Sequence, residues 1–73
     1  TIGTMCKELQ IKLGRNVRSA RQRAELSQTR LALMVGISRP VLIAIEQGDQ
    51  NITLDTLDRL AKGLEVEAWE LLQ

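Results

Sequence analysis

The sequence contains no histidine, tyrosine or phenylalanine, and one cysteine, one proline and one tryptophan among 73 residues. Without histidine and with a single thiol, no Cys/His zinc site and no Ser–His or Cys–His nucleophile pair can be assembled. Cys6 cannot close an internal disulfide. It reads as an inert, half-buried apolar residue in a reducing compartment. The five glycines, Gly3, Gly14, Gly36, Gly48 and Gly63, are scattered rather than gathered into a phosphate loop. No apolar run approaches the roughly 18 residues of a membrane span, and no signal-peptide pattern is present. The nine carboxylates fall on expected helix caps and solvent faces, not in a paired acid–base site. No metal, cofactor or membrane association is therefore expected, and the chain does not read as an enzyme.

What is present is a short, charged, helix-forming chain. Its length and a hydrophobic share of 44% suit a single domain, residues 1–73, with a modest core that oligomerisation or a partner would help to stabilise. The chain starts at Thr1 rather than Met, as a piece excised from something longer would. The net charge is only +1, but its distribution is lopsided. Residues 1–39 hold eight basic and two acidic residues, for +6, whereas residues 40–73 hold two basic and seven acidic residues, for −5. A polyanion would favour one half and avoid the other.

Apolar residues recur at three- and four-residue steps through Leu9, Leu13, Val17, Ala20 and Ala24, so a first helix is expected from about 5 to 24, with Thr4 as a candidate cap. Gly14 inside it costs about 1 kcal/mol relative to alanine. Residues 1–12 read either as an N-terminal arm or as an extension of this helix. Further helices are expected at about 28–35, 39–47, 54–64 and 68–72, making an all-α, five-helix bundle. Each of these four starts has an apolar residue placed to meet another five positions on: Leu26 and Leu31, Ile37 and Leu42, Ile52 and Leu57, Val66 and Leu71. Such hydrophobic staples fix the angle at which the chain enters a helix. Leu54, Leu57, Leu60, Ala61 and Leu64 mark the inner face of the fourth helix, with Asp55 and Asp58 near its positive end. Asp49-Gln50-Asn51 is the most turn-like segment.

The stretch Ser27 to Gly48 carries the function. Ser27 is a good N-cap, Leu31, Ala32 and Val35 face inward, and Gly36 permits the backbone that ends a helix. Ser38 then caps a second helix with Pro40 in its first turn, where no intrahelical amide bond is lost. Leu42 and Ile45 line its inner face, and Gly48 closes it. Two short helices around a three-residue corner at Gly36 make a helix-turn-helix at residues 28–47.

The run Ser27-Gln28-x-x-Leu31-Ala32-x-x-Val35-Gly36-Ile37-Ser38, then Ile45-Glu46-x-Gly48, resembles the lambda-repressor-like (Cro/CI-type, XRE-like) DNA-binding domains. The likeness extends to Val17-Arg18-x-x-Arg21 upstream and Thr53-Leu54-x-Thr56-Leu57-x-x-Leu60-Ala61-x-x-Leu64-x-Val66 downstream, about residues 13–72. It implies a bacterial or phage transcriptional regulator, cytoplasmic and nucleoid-associated, acting as a repressor or by recruiting polymerase. Such a protein binds a pseudo-palindromic operator in double-stranded DNA as a homodimer. The second helix of the motif would enter the major groove with Ser38, Arg39, Pro40 and Ala44 facing bases, and Val41 and Ile43 beside them. Arg39 is the candidate reader, because its fork matches O6 and N7 of guanine. Gln28 would brace that helix and touch the DNA backbone, with Arg15, Arg18, Arg23 and Arg30 as phosphate partners. Arg21 and Glu46 resemble the family's bridge between the first and third helices. Trp69, the lone aromatic residue, would be the lid of the core or a dimer contact, with the lid favoured.

Two departures from the family pattern stand out. Glu65 sits where glycine usually takes a left-handed backbone, so either strain or a different helix ending is expected there. Pro40, Val41, Ile43 and Ala44 replace polar readers; apolar groups can touch a thymine methyl but cannot form bidentate hydrogen bonds. With Leu33 and Met34 in slots that are usually polar, a second reading follows. On that reading Leu33, Met34, Val41 and Ile43 form a patch for a protein partner, such as the toxin of an antitoxin-like module.

Overall fold

The computed structural model describes residues 7–73. Four α-helices, α1 (Lys7–Arg23), α2 (Gln28–Val35), α3 (Arg39–Glu46) and α4 (Leu54–Leu64), are followed by a 3-10 segment, Ala68–Leu72. There is no strand among the described residues. The expected fifth α-helix is thus a 3-10 turn. Its N-cap, Glu67, makes no side-chain bond to the first turn, and five residues hold few of the i to i−4 bonds that sustain an α-helix. The start expected near Met5 with cap Thr4, and Cys6, lie outside the described residues. Among the described residues no single helix is long and apolar enough to cross a membrane.

The helix starts follow from their caps. The hydroxyls of Ser27, Ser38 and Thr53 accept from the backbone N–H three residues on, at Arg30 (3.0 Å), Val41 (3.3 Å) and Thr56 (3.1 Å). Each satisfies one of the orphan donors of a first turn. The endings are nearly as uniform. At three of the four α-helix ends the chain makes the paired bonds of a Schellman motif, first Glu25 N to Gln22 O with Leu26 N to Arg21 O, whereas at the end of α2 both Gly36 N and Ile37 N donate to Ala32 O. Gly48 N to Ile45 O with Asp49 N to Ala44 O, and Glu65 N to Lys62 O with Val66 N to Ala61 O, close the other two. The residue that takes the left-handed backbone is Glu25 (φ 58°), Gly36 (82°), Gly48 (78°) or Glu65 (59°). Glu65 therefore accepts the strained conformation rather than ending α4 another way, and Glu25 does the same with no warning from its residue type.

Leu26, Ile37 and Val66 serve both ends of a corner. Each is the apolar residue closing one helix and the residue preceding the cap of the next, and each is partly buried against the core. Sharing one anchor keeps the corners short, and α2 meets α3 at 108°, within the range of a helix-turn-helix.

The core draws Leu13, Val17 and Ala20 from α1, Leu31, Ala32 and Val35 from α2, and Leu42 and Ile45 from α3. Leu57, Leu60, Ala61 and Leu64 come from α4, and Leu71 from the 3-10 segment. Three expectations are corrected here. Leu9 and Ala24 are exposed, because the first turn of α1 overhangs the core and the helix ends at Arg23. Leu54 is 82% exposed, since the first turn of α4 runs past its partners. Trp69 is 60% exposed and is not the lid; Leu71, at 2%, is the buried anchor of that segment. A 3-10 turn repeats every three residues, so Ala68 and Leu71 share the inner side and Trp69 is turned out.

Gly14 is the contact point of α1 with the end of α3. A Cβ there would lie 2.8 Å from the Glu46 carbonyl oxygen and closer still to that of Ile45. The conformational cost of this glycine is thus repaid by close helix approach. The N-terminal turn of α1 adds polar ties to the loop after α3: Lys7 Nζ donates to Gly48 O and Asp49 Oδ1, both at 2.6 Å, and Gln10 Nε2 donates to Asn51 Oδ1. This turn is an extension of the first helix resting on the domain. At the other side, Asn16 Nδ2 donates to Leu71 O (2.9 Å) and Gln73 O (3.1 Å). Gly14→Ala is expected to destabilise the fold by about 1–3 kcal/mol through overpacking. Glu65→Gly should leave stability unchanged or raise it by up to about 1 kcal/mol, because the left-handed strain is removed while unfolded-chain entropy rises. Urea denaturation midpoints check both, and a Gly14→Ala midpoint equal to wild type would show that α1 and α3 are free to separate.

Candidate nucleic-acid interface

Gly14, Val17 and Arg21 share one face of α1 at three- and four-residue steps, so the close approach at Gly14 carries Arg21 to the end of α3 two turns on. There its guanidinium meets Glu46 side-on, Nε to Oε2 at 2.7 Å and Nη2 to Oε1 at 3.2 Å. Nη1 donates to the Leu26 carbonyl at 2.9 Å. Gln28 Nε2 donates to Glu46 Oε1 at 3.1 Å. One carboxylate thus ties α1, the α1–α2 corner, α2 and α3. The side chains are 12% exposed for Arg21 and 4% for Glu46, so the pair is a buried one whose strength comes from its fork geometry and full hydrogen bonding.

This knot forms the floor of an open cleft of about 540 Å³, lined by Arg18 and Arg21 of α1, Ser27, Gln28 and Thr29 at the start of α2, and Arg39, Ile43, Glu46 and Gln47 along α3. The positive dipole ends of α2 and α3 both border it, and neither helix has an acidic residue in its first turn. Glu46 is its one carboxylate and is matched by Arg21. Arg18 and Arg39 have no ion-pair partner among the described residues, so the cleft carries uncompensated positive charge. The acidic half of the chain is disposed differently: Asp55 and Asp58 pair along α4 with Arg59 and Lys62.

Of the expected interface residues, Arg18, Gln28, Arg39 and Ile43 meet in this cleft. Ser38, Arg39 and Pro40 are exposed at the first turn of α3, and Ile43 and Ala44 are half-buried. Val41 is also half-buried, packed against the core, and does not line the cleft. Arg15 lines a separate depression with Glu8, Ile11 and Lys12, and Arg23 lines another with Val66 and Glu70. Arg30 is exposed on α2 outside the cleft. Gln28 donates an amide proton to Glu46 at the last turn of α3. Thr29 and Gln47 also line the cleft, which the sequence pattern does not single out. The signal for Gln47 is that positions 39, 43 and 47 repeat at four-residue steps on one helix face.

The helix-turn-helix model HTH_3 matches residues 17–68. The chain belongs to this helix-turn-helix family. Among its relatives, control protein C.SmaI of Serratia marcescens is 42% identical over 60 residues, 82% of this chain and 71% of that protein. Control protein C.BamHI of Bacillus amyloliquefaciens is 30% identical over 69 residues, 93% of this chain and 85% of that one. The crystal structure of the restriction-modification controller protein C.AhdI from Aeromonas hydrophila matches with a TM-score of 0.82 at 34% identity, covering 85% of this chain and 94% of that one. This helix-turn-helix protein is a DNA-binding transcriptional regulator.

The buried knot generates a stability test. Arg21→Ala or Glu46→Ala is expected to cost ~3–5 kcal/mol by leaving a buried charge uncompensated, and Arg15→Ala less than about 0.5 kcal/mol. Arg21→Lys should also destabilise, because an ammonium cannot reproduce the fork and the bond to Leu26 together. Thermal or chemical denaturation decides; similar midpoints for all of these variants would deny the knot its structural role.

Proposed function

We propose that this domain binds a pseudo-palindromic operator in double-stranded DNA as a homodimer, with α3 of each protomer in successive major grooves. The observation that carries the reading is the cleft itself. It places two unpartnered guanidiniums, Arg18 and Arg39, beside the exposed first turn of α3 and the positive ends of two helices. Arg39 reads a guanine edge, Arg18 and Arg30 hold phosphates, and Gln28 orients α3 through Glu46. Arg15 and Arg23, further from the cleft, contribute to the field along α1. Ser38, Pro40 and Ala44 pack against base edges, with Ile43 beside them. Two-fold assembly supplies the second half-site that so small a module needs for specificity, and exposed Leu54 and Trp69 offer apolar surface for it. The protein then works at the nucleoid, in the cytoplasm, blocking or recruiting polymerase and performing no catalysis.

A second reading rests on Leu33, 72% exposed, and Met34, 48% exposed, side by side on α2. They would serve a protein partner such as a toxin or polymerase, with Val41 removed from the patch by its packing.

Selection of bound sites from random duplexes tests the main reading. A two-fold consensus with half-sites about 34–36 Å apart is expected, as is a steep fall of log K with log salt. Absence of duplex binding at low salt would favour the second reading. Arg39→Ala should reduce the preference for the selected site over random DNA by ~1–3 kcal/mol, whereas Arg18→Ala should weaken both alike and lower the salt slope by about one. Equal loss on specific and random DNA for Arg39→Ala would make Arg39 a phosphate contact instead.

A further inference from the structure

Arg39 and Ile43 stand one turn apart on the same face of α3 and line the same cleft. At that spacing their Cβ atoms are about 5–6 Å apart, which spans one to two base-pair rises of about 3.4 Å. Arg39 is exposed and makes no hydrogen bond or ion pair among the described residues, so its fork is available to a guanine edge. Thr29 and Gln47 also line the cleft, but the positions next to Arg39 along α3 offer few polar readers. Pro40, Ile43 and Ala44 have no side-chain donor or acceptor, the Ser38 hydroxyl caps Val41, and Gln28 donates to Glu46.

A base beside that guanine is therefore met by Ile43. An isoleucine cannot sense whether a pyrimidine offers the O4 acceptor of thymine or the N4 donor of cytosine. What it can sense is a methyl group on C5, through burial of apolar surface. That methyl is the same group on thymine and on 5-methylcytosine. We infer that α3 reads a C5-methylated pyrimidine next to a guanine, and that 5-methylcytosine serves in place of thymine there. The inference rests on the operator-binding reading. It makes binding responsive to cytosine methylation of the site, a property that a polar reader fitted to thymine would lack.

The test uses the strongest site recovered from random duplexes. Where a pyrimidine adjoins a guanine in it, four synthetic versions carry thymine, uracil, 5-methylcytosine or cytosine, each with its Watson–Crick complement. Thymine against uracil and 5-methylcytosine against cytosine differ by the methyl alone. The wild-type protein is expected to bind the methylated member of both pairs about fourfold more tightly per half-site, from the burial of one methyl. Ile43→Gln, checked for an unchanged thermal midpoint, should bring both ratios to one. Equal binding within both pairs, a selected site in which no pyrimidine adjoins a guanine, or a methyl preference that survives Ile43→Gln would each overturn the inference while leaving operator binding intact. Thymine preferred over uracil with no preference for 5-methylcytosine over cytosine would also overturn it, since Ile43 would then not be the reader. Failure of every duplex to bind would overturn the operator reading and the inference with it.

Discussion

The carboxylate of Glu46 is the constraint on which the arrangement depends. It is almost wholly buried at the last turn of α3, and its oxygens take three hydrogen bonds from Arg21 and Gln28. A buried charge is tolerated only when it is paired and its lone pairs are filled. That requirement holds α1, α2 and α3 at one mutual angle. It also neutralises the single acid of the cleft, so that Arg18 and Arg39 set its field. Whatever loosens the knot also displaces α3 and the cleft it lines.

Close packing makes the knot possible. Gly14 lets α1 come within contact of the final carbonyls of α3, and a two-turn extension along the same face delivers Arg21. The corners contribute geometry of their own. Leu26 and Ile37 each end one helix and begin the next, so neither side of the motif can pivot without exposing an apolar side chain. Two glutamates take left-handed backbone at such endings. The conformation costs a non-glycine residue about 1–2 kcal/mol, and the paired Schellman bonds with the partly buried Leu26 and Val66 hold it in place.

The apolar character of α3 has a consequence for how such a surface can discriminate. Phosphate contacts orient the protein without naming a sequence, and one guanidinium reads one guanine. On the proposed reading the remaining information would come from shape and from methyl groups, which the apolar Ile43 can contact. The exposed Leu33 and Met34 are a different surface, outside the cleft, and Val41 is half-buried against the core.

Much of this was legible in the residues because it is local. Caps at Ser27, Ser38 and Thr53, glycines at 36 and 48, and apolar steps through Leu31, Leu42 and Leu60 depend on neighbours a few positions away, and period and cap chemistry report those directly. The pairing of Arg21 with Glu46 was visible only through family resemblance, since nothing local links residues so far apart. What tertiary structure decided is where each periodic face runs out of partners. Leu9 and Leu54 obey the helical pattern yet project beyond the core, and Trp69 yields its place to Leu71 because the last segment winds as a 3-10 turn. It also decided which arginines share a cleft. Arg15, Arg18 and Arg23 look alike along α1, but helix phase and the docking of α3 at Gly14 bring only Arg18 of the three to the cleft. Local periodicity determined the helices, and their mutual approach, set by buried charge and a missing Cβ, determined the site.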